Sequence, residues 1–247
     1  MQKSYHEIIR ILKLLDLSAK LAAKGSEAKL TDRTKPIESE AARTIIRLAH
    51  QRRRQPLYVV GLGAATNIAS AILLDPTISK RIVVVWIGGH PYHYDNALDF
   101  NLKQDIVAAQ VLFESNVPLV HIPAGDVAEQ LSITLPELAK GIRGQSALCD
   151  ELYERVASYR MEVTKGAAGD ANERSWKKII WDIATIAWLI DAQQSVQTEV
   201  RPRPQLRSDG TWAEADDTSS STVRVAVDLD RTKVFQHLFE ALANEKP

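Results

Sequence analysis

The sequence predicts an α/β fold in which a mainly parallel, doubly wound sheet is covered by helices, with additional helices in the C-terminal half. Three observations lead to this prediction. Short apolar runs alternate along the chain with stretches of helical periodicity, as in repeated βαβ units. Several runs are continuous and rich in β-branched residues, which is typical of strands buried on both faces. The 247 residues, 45% hydrophobic and 25% charged, suit a globular protein, and we expect a single domain over residues 1–247.

The N-terminal elements are two helices and a strand. Ser4 and Glu7 form a capping box ahead of apolar residues at helical spacing, so the first helix begins there. The apolar stripe over residues 38–54 predicts a second helix. It ends in the basic run Arg52–Arg54, where cations meet the negative end of the helix dipole. The apolar run Leu57–Val60 predicts the first strand.

The next elements continue the alternation of strands and helices. A helix is expected over Thr66–Leu74, followed by a central strand over Ile82–Ile87 that is buried on both faces. A helix over 104–114 separates this strand from a third one over Leu119–Ile122. This order predicts parallel pairing in a Rossmann-like sheet.

The second half of the sequence is mostly helical. The predicted elements are helices over 135–142, 145–163 and 179–190, a late strand over Val223–Asp228 and a closing helix over 232–244. Ser208–Thr211 reads Ser-Asp-Gly-Thr, a turn signal that we interpret as the tip of a hairpin.

Composition and charge exclude several classes of protein. Thirty-one basic and 31 acidic residues leave no net charge, which argues against a nucleic-acid binder. The single cysteine, Cys149, cannot form an intrachain disulfide, and no Cys/His cluster indicates zinc. The amphipathic N-terminal segment differs from a signal peptide, and no apolar run is long enough to span a membrane. We therefore expect a cytoplasmic protein without nucleic-acid or membrane partners.

A glycine motif lies between the first strand and the helix that follows it. Gly61-x-Gly63-x-x-Thr66 occupies the place of a dinucleotide-binding fingerprint, but the third glycine is missing. No acidic residue stands at the end of the next strand, near Trp86, to hold a ribose. We therefore interpret the motif as a tight turn into a helix capped by Thr66 or Asn67.

The loop after the second buried strand is rich in groups that hydrogen-bond sugars. Residues 88–101 read GGHPYHYDNALDFN. In parallel sheets, ligands bind beyond the carboxyl ends of the strands, where this loop begins. Asp99 and Asn101 are two residues apart and face the same side of an extended segment. The loop either binds a ligand or is an ordinary polar loop in which Asn101 caps the next helix.

Four segments of the sequence resemble, in order, segments of the inosine–uridine-preferring nucleoside hydrolase family. They are Val59–Ala69, similar to the family's GPLTN-(I/L)-A; Val83–Gly89, similar to a strand ending in MGG; Asn96–Ala109, similar to N…AEFN…DPEAA; and Ile180–Ala184, similar to HDPLA. The resemblance extends over nearly the whole chain, and the segment over 96–109 is the most specific.

The resemblance implies an N-ribohydrolase, which cleaves the N-glycosidic bond of ribonucleosides with water to give ribose and a free base. In this family Ca²⁺ holds the attacking water and two ribose hydroxyls, so calcium would be the cofactor. Carried over by motif, Asp182 and the backbone carbonyl of His90 would bind the metal. Asn96, Asp99 and Asn101 would bind the ribose hydroxyls.

Three features depart from the family pattern. The family's N-terminal strand ends in a D-x-D-x-x-x-D-D loop that supplies most calcium ligands and the general base, and this sequence contains no such element. Trp181 stands where many members have a histidine that protonates the leaving base. An indole can only donate a hydrogen bond, so Trp181 would instead stack on the base or pack at a helix start. Asp99 is one methylene shorter than the family's usual Glu.

These departures leave two functional hypotheses. The first is a nucleoside hydrolase that is N-terminally truncated relative to the family, with one strand missing, its catalytic base unknown and its hydrolysis impaired. The second is a non-catalytic relative that binds a ribosyl ligand or a partner. The ordered match of four segments argues against an unrelated α/β binding domain. The expected partner is a small-molecule nucleoside, in purine or pyrimidine salvage, with a homodimer and a homotetramer both open.

Overall fold

The computed structural model describes residues 2–164, 175–191, 194–213 and 221–244. In chain order the elements are α1 (Gln2–Leu14), α2 (Glu40–Ala49), β1 (Leu57–Gly61), α3 (Thr66–Leu74), β2 (Ile82–Ile87), α4 (Phe100–Gln104), α5 (Ile106–Glu114), β3 (Leu119–Ile122), β4 (Ser132–Thr134), α6 (Leu135–Ile142), α7 (Ala147–Val163), β5 (Lys177–Ile179), α8 (Ile183–Asp191), β6 (Val196–Pro202), β7 (Gln205–Leu206), β8 (Trp212–Ala213), β9 (Thr222–Leu229) and α9 (Arg231–Ala243). No helix in these ranges combines the length and the apolar composition that crossing a membrane requires.

A five-stranded sheet with the order β1-β2-β3-β9-β6 forms the centre of the fold. The first four strands in this order run parallel, and β6 pairs antiparallel with β9 at one edge. β3 is buried along its whole length and β2 along nearly all of it, as expected for strands covered on both faces. The predicted α/β fold with a mainly parallel sheet is confirmed. Two small antiparallel pairs, β4 with β5 and β7 with β8, lie outside this sheet.

Two apolar cores lie on opposite faces of the sheet. Side chains alternate between the faces of a strand, so β2 sends Trp86 to one core and Val85 and Ile87 to the other. α2, α3 and α5 cover the core that contains Trp86, whereas α6 to α9 cover the other. Helices from the first half of the chain therefore cover one face of the sheet and helices from the second half cover the other, while the β7–β8 hairpin, also from the second half, packs on the first core.

Two predicted helices have different limits in the structure. α2 begins after Ser39, whose hydroxyl accepts the N–H of Ala42, and it ends at Ala49. The basic run Arg52–Arg54 therefore follows the helix instead of ending it. The helix predicted over 104–114 begins only at Ile106, because the Asp105 carboxylate accepts the N–H of Ala108 and caps α5, and a separate short helix, α4, precedes it.

The start of α3 and the segment before α8 also differ from expectation. Thr66 and Asn67 do not cap α3, because the Thr66 hydroxyl donates to Asp105 and the Asn67 amide oxygen accepts the N–H of Ser26. The helix predicted over 179–190 begins only at Ile183, because β5 pairs with β4 ahead of it. The predicted hairpin is present, with its turn at 208–211 between β7 and β8.

Candidate functional site

A pocket of about 600 Å³ opens at the carboxyl ends of β1 and β2. This is the edge at which parallel sheets place their ligands. The loop over residues 88–99 and the start of α4 form one side, and β5 with the turn into α8 forms the other. The pocket is lined by Leu62, Ile87, His90, Leu98, Asp99, Phe100, Asn101, Ala124, Tyr159, Lys178, Trp181 and Asp182.

The carboxylate of Asp99 is buried at the N-terminus of α4 and ties the loop to the helix. Its Oδ1 accepts the N–H of Gly89 at 2.6 Å and that of Leu102 at 2.8 Å, and its Oδ2 accepts the N–H of Asn101 at 3.1 Å. Backbone N–H groups at a helix start compensate the negative charge. Three of the carboxylate's roughly four acceptor positions are thus used, which leaves one on Oδ2.

The side chain of Asn101 lines the same pocket. Its Nδ2 donates to the carbonyl of Ile87, the last residue of β2, at 2.9 Å. Within the described ranges no hydrogen bond engages Oδ1, so the amide presents an acceptor to the pocket. Asp99 caps α4, so the alternative in which Asn101 caps this helix is wrong.

His90 lies in the pocket wall, whereas Asn96 lies outside it. The backbone carbonyl of His90 accepts the indole N–H of Trp212 at 3.0 Å, and its ring stacks on Tyr94. Asn96 is exposed and accepts the N–H of Leu98 at 2.9 Å, which closes a turn within the loop. The structure does not bring Asn96 to the pocket lining. Its contact with ribose stays a prediction.

Trp181 and Asp182 reach the pocket from the turn between β5 and α8. Trp181 is half-buried: it lines the pocket and packs against the core under α8, so both interpretations of this residue fit the structure. The side chain of Asp182 remains accessible to solvent. The surrounding protein nevertheless raises the pKa of its carboxyl by desolvation, and the nearby charge of Lys178 opposes this rise.

Four further lining residues were not predicted to belong to the site. The ammonium group of Lys178 lies 4.6 Å from the ring centre of Tyr159, which is a cation–π contact. Leu62 and Phe100 expose 44% and 79% of their surface beside the pocket and make part of its wall apolar. Phe100 belongs to the matched segment over 96–109, and this was the only sequence feature that pointed to a place in the pocket. Lys178 and Tyr159 belong to no motif.

A buried polar network lies behind the pocket floor. His121 of β3 is fully buried; its Nε2 donates to the carbonyl of Gly88 at 2.7 Å, and its Nδ1 accepts the hydroxyl of Tyr92 at 2.8 Å. Because a carbonyl can only accept, this arrangement requires a proton on Nε2. Burial lowers the pKa of His121 to about 4, which keeps the ring neutral. The rings packed around it are those of Trp86, Phe113 and Trp212.

The pocket does not contain a complete calcium site in the described part of the chain. No group of three or more His, Cys, Asp and Glu side chains there could hold a metal ion. Asp99 is largely occupied by backbone N–H groups, and the His90 carbonyl already accepts a hydrogen bond. Asp182 alone is far short of the six to eight oxygen ligands that Ca²⁺ takes. The residues present therefore do not fit the metal that the family resemblance implies.

The family profile of the inosine-uridine preferring nucleoside hydrolases matches residues 14–236, which is most of the chain. The chain belongs to this family. Among curated nucleoside hydrolases, the pyrimidine-specific ribonucleoside hydrolases RihA of Escherichia coli O9:H4 (strain HS) and of Salmonella arizonae are each 27% identical to it, over 142 and 146 residues. These matches cover 55% and 56% of this chain. They cover 43% and 44% of the relatives, so the chain matches less than half the length of each.

Solved nucleoside hydrolases have the same fold. A plant nucleoside hydrolase superimposes with a TM-score of 0.63 at 22% identity, covering 94% of this chain and 74% of the plant chain. A purine-preferring ribonucleoside hydrolase from Gardnerella vaginalis gives a TM-score of 0.66 at 23% identity, covering 90% and 69%. At this identity the likeness establishes a common nucleoside hydrolase fold and does not assign a substrate.

Proposed function

We propose that the pocket binds a ribonucleoside and that the protein is an N-ribohydrolase, which cleaves the N-glycosidic bond with water to give ribose and a free base. The observation that supports this is the convergence of Asp99 and Asn101 with Trp181 and Asp182 on one pocket, from two distant parts of the sequence. Membership of the nucleoside hydrolase family supports the same reaction. Such an activity would serve purine or pyrimidine salvage in the cytoplasm.

The two sides of the pocket suit the two parts of a nucleoside. The remaining acceptor position of Asp99 and the amide oxygen of Asn101 can accept hydrogen bonds from ribose hydroxyls. Opposite them, the side chains of Trp181 and Tyr159 offer aromatic surface to a planar base. We therefore orient the ribose toward the start of α4 and the base toward the turn before α8.

Hydrolysis by this 247-residue chain is expected to be weak. The proposed calcium ligands are Asp182 and the carbonyl of His90, and together they leave at least four coordination positions without a protein ligand. The indole of Trp181 cannot protonate the leaving base. The loss of one acid or base typically slows a reaction by roughly 10²–10⁴-fold. We therefore propose no calcium-dependent turnover of inosine or uridine by the chain as it stands.

A non-catalytic ribosyl-binding protein is the second candidate. The observation that favours it is the position of Asp99, whose carboxylate acts mainly as a structural cap through three backbone hydrogen bonds. Both candidates bind a nucleoside. They differ in whether adding the absent aspartates restores hydrolysis of the N-glycosidic bond. A fusion that adds a strand with clustered aspartates ahead of residue 1 should restore ribose release for the hydrolase, but not for the binding protein.

Calorimetry with uridine and inosine tests the binding step. Asn101→Ala removes one hydrogen bond to the sugar, worth about 0.5–1.5 kcal/mol, so affinity should fall roughly threefold to tenfold. Asn116→Ala is the matched control, because Asn116 is exposed and lies outside the pocket. Failure of the unmodified chain to bind either nucleoside, or equal affinity in both variants, would refute the proposed site.

An assay of ribose release with and without a chelator tests the reaction. We expect little or no release by the 247-residue chain, and no difference between the two conditions. Rapid turnover that the chelator abolishes would mean that the metal site lies elsewhere. Rapid turnover that the chelator leaves unchanged would show that the pocket hydrolyses nucleosides without a metal.

A further inference from the structure

Two consecutive lysines of β5 lie in different surroundings. β5 covers Lys177–Ile179 and pairs with β4. Because successive side chains of a strand point to opposite faces, the two lysines diverge. Lys177 is exposed, whereas Lys178 is half-buried and lines the pocket. Among the described residues of the pocket lining, Lys178 is the only lysine or arginine, so it is the source of a permanent positive charge there.

The ammonium group of Lys178 lies on the side of the pocket assigned to the base. Its Nζ atom is 4.6 Å from the ring centre of Tyr159, and the π-electrons of this ring attract the cation. Trp181 lines the same side. In the described ranges no hydrogen bond or ion pair engages the ammonium group, which carries three N–H donors and no acceptor. These donors are therefore available to a ligand in the pocket.

The two carboxylates of the pocket lining do not neutralise this cation by contact. The Asp99 carboxylate accepts three backbone N–H groups at the start of α4. Asp182 is close enough for the charge of Lys178 to lower the pKa of its carboxyl, yet no ion pair joins the two side chains. Desolvation acts more strongly and raises this pKa, so the surroundings of Asp182 disfavour a negative charge. The positive charge of Lys178 is therefore left to act on the base that the pocket binds.

Departure of the base creates a negative charge on this side of the pocket. When the N-glycosidic bond breaks, its electron pair stays on the base nitrogen, the oxygen of water bonds to C1′ of the ribose, and the proton that the water loses ends on the base. The base is an anion until that proton arrives. The indole of Trp181 cannot supply the proton. A cation fixed beside the base stabilises the negative charge by hydrogen bonding and keeps its own proton.

Building on the proposed function, we propose that Lys178 determines which bases the pocket prefers: its ammonium group hydrogen-bonds to the edge of the base, so ribonucleosides with an anionic base bind more tightly than neutral ones. The ammonium group covers one face of Tyr159, so the base lies against Trp181 and presents its oxygen or nitrogen acceptors to Lys178. When the base is an anion, the attraction between opposite charges adds to this hydrogen bond. An anionic base should therefore bind about tenfold more tightly than a neutral base of the same shape.

Calorimetry with uridine and 5-fluorouridine at two pH values tests this preference. The fluorine atom withdraws electrons and makes N3 of the base more acidic. At pH 8.5 the base of 5-fluorouridine is therefore mostly an anion, whereas that of uridine is mostly neutral; at pH 6 both bases are neutral. The two ligands should bind with similar affinity at pH 6, and 5-fluorouridine should bind about tenfold more tightly than uridine at pH 8.5.

Substitutions at the two lysines identify the group responsible. Lys178→Met keeps the length of the side chain but removes its charge, and should abolish the preference at pH 8.5. Lys177→Met is the matched control: it removes the same charge from an exposed position outside the pocket lining and should keep the preference. Lys178→Arg should also keep it, and Lys178→Gln is a second neutral variant, should Lys178→Met fold poorly. Four other titratable groups line the pocket and are common to all these proteins, so they cancel when variants are compared at one pH: His90, Asp99, Tyr159 and Asp182.

The possible results separate this inference from the proposed function. Equal affinities of the unmodified chain for the two ligands at pH 8.5 overturn the inference and leave the proposed function standing. So does a preference that persists in Lys178→Met and Lys178→Gln, because another group would then cause it. Loss of the preference in Lys177→Met as well also overturns the inference, since the total charge of the protein would then be the cause. Failure of the unmodified chain to bind either nucleoside at either pH refutes the proposed function and the inference with it.

Discussion

The neutral, buried His121 should make the stability of the protein depend on pH below neutrality. In the folded protein its pKa is about 4, whereas its ordinary value is 6.5. Between these two values the unfolded chain binds a proton at this residue and the folded protein does not. Stability must therefore fall as the pH decreases from 6.5 to 4. Replacing His121 by Gln removes the titrating group and should remove this part of the pH dependence.

The size of the effect follows from the difference between the two pKa values. One pKa unit corresponds to about 1.4 kcal/mol, so a difference of about 2.5 units limits the loss to about 3 kcal/mol. At pH 4.5 the unfolded chain is almost fully protonated at this histidine, and the folded protein only slightly. The loss there should be about 2.5 kcal/mol relative to pH 7.

Urea unfolding at pH 7, 5.5 and 4.5 measures this contribution in the unmodified protein and in His121→Gln. The variant will be less stable at every pH, because Gln fills the aromatic cluster poorly. The informative quantity is the change in unfolding free energy with pH, since the other titrating groups are common to both proteins. We expect the unmodified protein to lose about 2.5 kcal/mol more than the variant between pH 7 and 4.5. Equal losses would show that His121 is protonated, or accessible to protons, in the folded state.

Three further predictions concern single residues. Asp105→Ala leaves a hydroxyl and two N–H groups without their buried acceptor and should cost at least about 3 kcal/mol; an unchanged urea midpoint would contradict this. Gly210 has a φ of +83°, and a Cβ there would lie only 2.3 Å from Leu98, whereas Gly144 has a φ of +78° but open space. Gly210→Ala should therefore lower the melting temperature of the protein more than Gly144→Ala does. Equal shifts would exclude the contact with Leu98 as the cause. Trp181→Ala should weaken nucleoside binding by about 1–3 kcal/mol while ribose binding, measured by calorimetry, stays unchanged; equal losses for both ligands would remove Trp181 from the base side.

The main sheet could be predicted because its buried strands consist of apolar residues. Ile82–Ile87 is apolar throughout, since helices cover both of its faces. β6 has no such signal: most of its residues are exposed, and it is a strand because it pairs with β9. The sequence likewise contains no signal for the break between α4 and α5. Asp105 is fixed there by Thr66 and Leu30, two contacts distant in sequence.

The candidate site could be predicted in part for a similar reason. Asp99, Asn101 and Asp182 lie in matched segments, and the strand-end rule for parallel sheets brings such segments together. Lys178 and Tyr159 come from elements without a motif, and only tertiary packing places them beside the pocket. The sequence also could not show that the Asp99 carboxylate is largely engaged by backbone N–H groups, because that depends on the path of the loop.

The loop over residues 88–99 is held in place by contacts within the protein. The Asp99 carboxylate closes its ends, while Ala97 donates to the carbonyl of Gly210 at 2.7 Å and Trp212 donates to that of His90. When a ligand binds to such a loop, little free energy is needed to order the protein, so this cost reduces the affinity only slightly. The hairpin that supplies two of these contacts therefore acts on affinity through entropy. A substitution in its turn would loosen the loop and weaken binding without removing a single contact to the ligand.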